Sequence, residues 1–155
     1  RNPDGTWETT KLSMRCDDFN EEELDLTDMD NDGDLDILCA DVSDIFVYEN
    51  VDGDFGEVVQ HLVADLWDHR NRTGADIDGD GYPEVLIANV GNCMLENPTY
   101  YSDEAWPRYC LPPVEGSYIQ RLDTADFDGD GDLDVYGTDS IATMDAFPWF
   151  ENPRL

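Results

Sequence analysis

Basic residues are scarce in this chain of 155 residues. The chain has eight Lys and Arg against 38 Asp and Glu, which gives a net charge of −30. Binding to nucleic acid or to an anionic membrane surface needs clustered Lys and Arg, so the composition excludes both kinds of partner. Cations, glycans and basic proteins remain as partners.

Long apolar segments are also absent. No stretch approaches the roughly 18 consecutive apolar residues of a membrane-spanning helix, and no secretory leader is visible, so we expect no membrane insertion. A content of 40% hydrophobic residues does not fit a disordered acidic tail. We therefore expect a folded domain that is either a mature protein or an excised part of one.

Residues of common catalytic sites are few. The chain has two histidines, His61 and His69, and no serine or cysteine in the sequence context of an activated nucleophile. Carboxylate pairs of the kind that glycosidases use are available, but every regularly spaced carboxylate has a metal-binding interpretation. The sequence predicts that the protein is not an enzyme.

The four cysteines lack the spacing of zinc or redox sites. Cys16, Cys39, Cys93 and Cys110 form no CxxC or CxxH pair, and their even number indicates two disulfides in an exported protein. Three connectivities are open; pairing Cys16 with Cys39 and Cys93 with Cys110 would close two short loops. The NRT sequence at Asn71 is an N-glycosylation acceptor, which fits an extracellular location, secreted or at the cell surface.

One acidic loop occurs three times, beginning at Asp28, Asp76 and Asp126. Each copy is followed by a short apolar run and then by a second run that ends in Glu-Asn. Gly, Asp, Asn and Pro separate these runs, which is typical of short strands joined by turns. The sequence predicts an all-β domain of three repeats, approximately 1–48, 49–95 and 96–155, with roughly four strands each.

Each acidic loop has the composition of a calcium-binding turn. Counted from the first aspartate, carboxylates occupy positions 1, 3, 5 and 9, and glycine occupies position 6. Calcium takes about six to eight oxygen ligands, and a tight turn with alternating carboxylates brings such oxygens to one point. Position 7 varies, as expected of a residue that offers its backbone carbonyl. The predicted ligands of three calcium ions are Asp28, Asp30, Asp32, Asp34, Asp36, Asp76, Asp78, Asp80, Tyr82, Glu84, Asp126, Asp128, Asp130, Asp132 and Asp134.

Two other kinds of acidic calcium loop fit less well. An EF-hand needs a glutamate at position 12 and flanking helices, but position 12 is Cys39, Ile87 or Gly137 here. Thrombospondin type 3 repeats pack loop against loop with little apolar sequence between, whereas apolar strands separate the loops of this chain.

The DxDxDGxxD loop, the apolar strand after it and the Glu-Asn-Pro ending resemble the FG-GAP/VCBS repeats of integrin alpha subunits and many secreted proteins. The resemblance covers nearly the whole chain, although the FG and GAP signatures persist only as TGAD before Asp76 and DTAD before Asp126. Repeats of that family are propeller blades whose loops bind calcium. The resemblance therefore implies a β-propeller-like array of three blades with calcium as its cofactor.

Three repeats are fewer than the four to eight blades typical of a propeller. We expect either a piece of a larger propeller or a unit completed by other copies. The two ends of the chain lie at the same phase of the repeat, which predicts head-to-tail self-association into a ring or a filament. The predicted function is an extracellular structural module that builds such an assembly, and the alternative is a glycan-binding, lectin-like adhesion propeller.

Residues outside the loops have simpler expected roles. Trp7, Trp106 and Trp149 occupy or neighbour recurrent positions and are expected to pack within blades. Tyr101 lies with Trp106 in the longest turn between repeats, where an exposed binding patch is least constrained. The asparagines of the Glu-Asn motifs are expected to order the turn that follows.

Overall fold

The computed structural model describes residues 5–14, 16, 24–41, 43–66, 70–88, 91–99, 101, 104–115, 118–139 and 147–152. Within these ranges the protein consists of eleven strands joined by turns and loops, and no helix is present. These residues therefore form no helix that could cross a membrane. The predicted all-β class is confirmed.

The first sheet surrounds the first acidic loop. Its strands are β1 (Asp25–Thr27), β2 (Asp36–Ala40), β3 (Asp44–Asn50) and β4 (Val58–Asp65), paired antiparallel in that order. Strand β2 is buried along its whole length, and β3 is buried except at two positions. Their β-branched, leucine and aromatic side chains suit strands that are covered on both faces.

Two further antiparallel sheets follow along the chain. The second has β5 (Arg70–Ala75), β6 (Glu84–Ala88), β7 (Cys93–Leu95) and β8 (Arg108–Cys110), and the third has β9 (Ile119–Ala125), β10 (Asp134–Asp139) and β11 (Trp149–Phe150). In every sheet the acidic loop joins the first strand to the second. The predicted repeat boundaries stay a prediction, but each loop lies within a sheet of its own.

Alternate residues of each strand point to opposite faces, so one sheet can pack against a neighbour on each side. The three sheets pack in series in this way. Leu38 and Val47 of the first sheet pack against Val85 and Leu95 of the second. In the same way, Leu86 on the other face of the second sheet belongs to a cluster with Ile119, Leu122 and Val135 of the third. These two clusters join neighbouring sheets in an open series, and a closed propeller is not seen in the described part of the chain.

The outer face of the first sheet is covered. Ile37, Phe46 and Tyr48 form a buried cluster there, and Met14 and Cys16 of the N-terminal segment pack against it. This cluster closes one end of the series of sheets.

Two disulfides fix parts of this architecture. Cys16 is bonded to Cys39, which ties the N-terminal segment to β2, and Cys93 is bonded to Cys110 across neighbouring strands β7 and β8. The prediction of two disulfides is confirmed. The structure selects one of the three possible connectivities, the one that closes two short loops.

The aromatic residues differ from expectation. Trp106 is only 4% exposed, and its backbone N–H donates to the carbonyl of Val63 at 3.2 Å, so the predicted surface patch at this residue is wrong. Burial by packing is confirmed for Trp106, which belongs to the cluster between the first two sheets, but is wrong for Trp7, which is 82% exposed. Trp149 is 44% exposed and packs in part, against Phe127. A recurrent position in sequence does not ensure burial when the face it occupies has no neighbour.

Candidate metal centres

A left-handed backbone forms the bend of each acidic loop. The φ angle of the glycine at position 6 is 101° at Gly33, 94° at Gly81 and 105° at Gly131. Residues with a Cβ rarely adopt these angles, which explains why glycine occurs there in all three loops. The sharp bend predicted from the sequence is confirmed.

Position 4 of each loop has the same backbone requirement, which the sequence analysis missed. The φ angle is 60° at Asn31, 73° at Gly79 and 81° at Gly129. Asparagine and glycine are the residues that tolerate this region best, so their occurrence at position 4 was an available signal.

Backbone N–H groups of the loops orient the carboxylates. Asp28 accepts hydrogen bonds from the N–H of Asp32 at 3.1 Å and of Gly33 at 3.0 Å. In the second loop Asp76 accepts the N–H of Gly81 at 3.1 Å. These bonds hold the carboxylates on the inside of the turn.

Carboxylates converge in all three loops. In each of them three carboxylate groups place one oxygen within 4.8 Å of the others. Two oxygens that bind one calcium at about 2.3 to 2.6 Å lie at most about 5 Å apart, so this spacing fits calcium. The three sets are Asp28, Asp30, Asp32; Asp76, Asp78, Glu84; and Asp126, Asp128, Asp130.

The aspartate at position 9 has a second role in the first loop. Asp36 is buried and accepts the N–H of Met29 and the N–H of Asn50, each at 2.9 Å. It thereby ties position 2 of the loop to the end of β3. Asp36 is not part of the converging set, so the structure shows it fixing the loop, and its role as a ligand stays a prediction.

At position 9 of the other two loops, the length of the side chain decides whether the carboxylate reaches the converging set. Asp134 accepts the N–H of Phe127 at 3.1 Å and of Asn152 at 2.8 Å, as Asp36 does in the first loop. Glu84 is longer by one methylene group; it accepts the N–H of Ile77 at 2.8 Å and also belongs to the converging set.

The environment shifts the pKa of these carboxyls. Burial raises the pKa of Asp36 to about 6 and that of Glu84 to about 7. Burial, followed by the charge of Asp32, also raises the pKa of Asp30. For Asp134 the N–H of Asn152 has the largest effect and lowers the pKa. The charged form of these carboxyls is thus energetically unfavourable in the first two loops, and a bound cation would stabilise it.

Some buried carboxylate oxygens accept no hydrogen bond among the described residues. Within the acidic loops these are Oδ1 of Asp76, at position 1 of the second loop, and both oxygens of Asp132, at position 7 of the third. Burial, followed by the charge of Asp130, raises the pKa of Asp132. Buried acceptors without partners are rare in folded proteins, and a cation beside them would satisfy them. The residues present therefore fit calcium.

The Glu-Asn asparagines connect adjacent loops. The amide of Asn97 donates to the carbonyl of Pro83 at 3.1 Å in the loop of its own sheet and to that of Met29 at 2.8 Å in the preceding loop. In the third repeat Asn152 donates to Leu133 at 3.2 Å and to Ile77 at 2.8 Å. Asn97 and Asn152 thus each join the loop of their own sheet to the loop of the sheet before it.

Asn50 and Asn97 of the Glu-Asn motifs also order the following turn, as predicted, whereas the residues after Asn152 lie outside the described part of the chain. The side-chain oxygen of Asn50 accepts the N–H of Phe55 at 2.8 Å, and that of Asn97 accepts the N–H of Thr99 at 3.0 Å. The link between repeats was missed, because its acceptors lie 68 and 75 residues away in sequence.

Tyr101 lies beside the first loop rather than on a binding patch. Its ring stacks on His61 with centroids 3.7 Å apart, and Nε2 of His61 lies 2.6 Å from a carboxylate oxygen of Glu49. Burial, followed by the charges of Asp36 and Asp30, raises the pKa of the Tyr101 phenol. The hydroxyl is therefore neutral and available to donate a hydrogen bond near the loop.

Several predicted site residues remain untested. Asn71 lies on β5, but its side chain is outside the described part of the structure, so its glycosylation stays a prediction. The complete ligand set, which includes Asp34, Asp80 and Tyr82, also stays a prediction.

Comparison with known proteins identifies the sequence type of the first two loops. The profile of the FG-GAP-like repeat family matches residues 28–87, from the first aspartate of the first loop into β6. No curated protein and no solved structure matches the chain significantly. The resemblance inferred from the acidic loops is thus confirmed over this stretch, and the chain carries FG-GAP-like repeat sequence at residues 28–87.

Proposed function

We propose that the protein is an extracellular calcium-binding structural module, in which three calcium ions hold the acidic loops of a β-propeller-like array. The observation that carries the proposal is the convergence of three carboxylates in each of three loops. The FG-GAP-like match supports a structural or adhesion module rather than an enzyme. Two disulfides support the extracellular location, where such bonds persist.

Calcium would act on stability through the loops. The ion would be held by the converging carboxylates and would supply positive charge where burial makes negative charge costly. Extracellular calcium modules bind at about 10⁻⁴ to 10⁻³ M, and a tenfold excess of calcium over such a constant contributes roughly 1.4 kcal/mol per site. Three sites would add a few kcal/mol, a large share of the net stability of a domain.

Calorimetric titration with calcium tests this proposal. We expect about three ions per chain, one for each converging set. The matched variants Asp30→Asn, Asp78→Asn and Asp128→Asn alter position 3 of each loop, and each should abolish or weaken one site while the other two persist.

Asp54→Asn is the control for these variants. Asp54 lies in another exposed acidic turn, where its carboxylate accepts the N–H of Gly56 at 2.9 Å, but it belongs to none of the three sets. Its substitution should leave binding unchanged. A chain that binds no calcium, or an equal loss in the control, would show that the loops are solvated acidic turns.

A glycan-binding function is the second candidate, because the third sheet exposes large aromatic rings. Phe147 and Trp149 are 55% and 44% exposed, and such rings can stack on sugars. A glycan array, together with particle size in calcium, separates the candidates. A lectin binds specific sugars as a discrete particle, whereas a structural module assembles without them.

A further inference from the structure

A tyrosine hydroxyl beside the first acidic loop is buried without a hydrogen-bond partner. The side-chain oxygen of Tyr101 is shielded from solvent, and it forms no hydrogen bond with any residue that the structure describes. Burying a polar group unpaired is unfavourable, so such groups are rare in folded proteins. A hydroxyl of this kind, next to a candidate metal site, indicates a donor that is used when the site is filled.

The connection between β7 and β8 carries Tyr101 onto the first sheet. Before Tyr101 in the chain, the amide of Asn97 donates to the carbonyl of Met29 at 2.8 Å. After it, the backbone N–H of Trp106 donates to the carbonyl of Val63 at 3.2 Å. Tyr101 itself packs against the apolar cluster between the first two sheets. Two anchors on the first sheet thus fix the residue that lies between them.

The ring of Tyr101 is held by a histidine of the first sheet. It stacks on His61 with the ring centroids 3.7 Å apart and the planes at 8°. His61 lies opposite Val47 in the register of β3 and β4, and its Nε2 is 2.6 Å from a carboxylate oxygen of Glu49. These contacts limit movement of the tyrosine ring, so they also fix the position of its hydroxyl.

Acidic side chains lie close to this hydroxyl. Burial raises the pKa of the Tyr101 phenol, and so do the charges of Asp36, Asp30, Glu49 and Asp32, in that order. All of these carboxyls except Glu49 belong to the first loop. The phenol therefore keeps its proton and is a donor, and a hydrogen bond donated to a carboxylate stabilises the charged form. Calcium binds that form of the carboxyl.

We propose that Tyr101 is a positioning residue of the first calcium site, whose hydroxyl donates a hydrogen bond to a carboxylate of the first loop when the ion is bound. The inference rests on the proposed calcium-binding function and deepens it, because it names a residue outside the acidic loops that tunes one of them. Tyr101 belongs to the connection between two strands of the second sheet. Calcium in the first loop should therefore also strengthen the contact between the first two sheets.

The proposal predicts that one substitution affects stability differently with and without calcium. In a chelator, Tyr101→Phe removes an unpaired hydroxyl and keeps the ring on His61, so the melting temperature should stay the same or rise slightly. In calcium the same substitution removes a hydrogen bond, so the melting temperature should fall below that of the native chain. A role in packing alone would change the melting temperature equally under the two conditions.

Calorimetric titration of the intact chain isolates the first site. Asp78→Asn together with Asp128→Asn leaves only the first of the three converging sets unaltered. Adding Tyr101→Phe to this background should weaken calcium binding about tenfold, as is typical when a residue that orients a metal ligand is lost. The matched control is Tyr109→Phe, because Tyr109 lies on β8 and is 55% exposed, and it should leave the affinity unchanged.

The same substitution should spare the other two sites. In the Asp30→Asn background, Tyr101→Phe should leave calcium binding by the second and third loops as it was. A loss there, or an equal loss at the first site in Tyr109→Phe, would overturn the proposal because the effect would be general.

Two further outcomes separate this inference from the function on which it rests. A native chain that binds calcium at three sites, with the first indifferent to Tyr101→Phe, would leave the calcium-binding function standing and overturn the inference alone. A native chain that binds no calcium would overturn both. An equal fall in melting temperature in chelator and in calcium would also overturn the inference, since the hydroxyl would then act without the ion.

Discussion

At the scale of the residue, the acid at position 9 is subject to two opposing effects, burial and hydrogen bonding. Asp36 and Glu84 are each 1% exposed, yet both accept backbone N–H groups that hold the loop closed. Burial favours the protonated acid, whereas the hydrogen bonds and a bound cation favour the carboxylate. The protonation of these residues and the binding of calcium should therefore be linked.

The shifted pKa of Glu84 determines the direction in which the stability of the protein should change with pH. Its pKa is raised from 4.5 to about 7 in the folded protein, so between these values the native state binds a proton that the unfolded state has released. Without calcium, the contribution of Glu84 to the free energy of unfolding is complete below pH 4.5 and is lost as the pH rises to about 7. We expect a loss of about 2 to 3 kcal/mol over this interval.

Urea denaturation in a chelator, at a series of pH values from 4.5 to 7, measures this slope. Glu84→Gln should flatten it, whereas Glu57→Gln, which changes an exposed glutamate, should not. Added calcium should oppose the slope, because the ion binds the carboxylate form. An identical slope in the native chain and in Glu84→Gln would contradict the assigned shift.

At the scale of the element, a few side chains make hydrogen bonds between neighbouring sheets. Asn97 joins the second sheet to the first loop, and Asp25 of β1 accepts the hydroxyl of Thr73 at 2.9 Å and the N–H of Gly74 at 2.8 Å on β5. A Cβ on Gly74 would lie 2.7 Å from the Thr27 hydroxyl oxygen, so this glycine of the TGAD sequence permits the close approach of the sheets.

Substitution of the linking asparagine should weaken the contact between repeats. Asn97→Ala removes the donor to the carbonyls of Met29 and Pro83, and we expect a loss of about 1 to 3 kcal/mol in the free energy of unfolding. Urea denaturation measures it. Thr99→Ala alters an exposed side chain of the same turn and should change stability by under about 0.5 kcal/mol. Equal effects of the two substitutions would show that the amide bonds contribute little.

The N-terminal segment should protect the outer face of the first sheet. The double variant Cys16→Ala, Cys39→Ala removes its anchor and should cost about 2 to 4 kcal/mol of stability. It should also raise the binding of a hydrophobic dye, because Ile37 and Phe46 become accessible.

The matched double variant at Cys93 and Cys110 is the comparison. It removes a link between two strands of one sheet, so it should cost stability without a comparable rise in dye binding. Strong dye binding in this variant alone would contradict the protective role of the segment.

At the scale of the whole molecule, the charge of −30 opposes the compact state. Calcium and sodium should relieve this repulsion differently. Screening by sodium acts on all exposed charges, whereas calcium also enters the converging sets of carboxylates. At equal ionic strength, calcium chloride should therefore raise the melting temperature well above the value in sodium chloride.

Differential scanning calorimetry in the two salts measures this difference. Under chelation the melting temperature should rise gradually with sodium chloride, and calcium should produce a saturating increase at millimolar concentration. Coincident curves in the two salts would mean that screening alone stabilises the protein.

Local features of the sequence were sufficient to predict much of the site. The left-handed glycines, such as Gly33, and the converging carboxylates follow from residues within nine positions of one another, and the strands follow from their apolar runs. The anchoring role of Asp36 and the bond from Asn97 to Met29 could not be predicted in this way. Asp36 meets the N–H of Asn50 only when β2 and β3 pair, and Asn97 meets Met29 only when the first two sheets pack.

The sequence by itself determined the all-β class and the three acidic loops, because turn geometry and the charge of a loop are properties of contiguous residues. Only the tertiary structure decided the disulfide connectivity and which face each repeat buries. It also decided that the outer face of the first sheet is covered while Phe127, Phe147 and Trp149 of the third are exposed. Strand side chains alternate between two faces, and which of those faces meets another sheet depends on how the repeats stack.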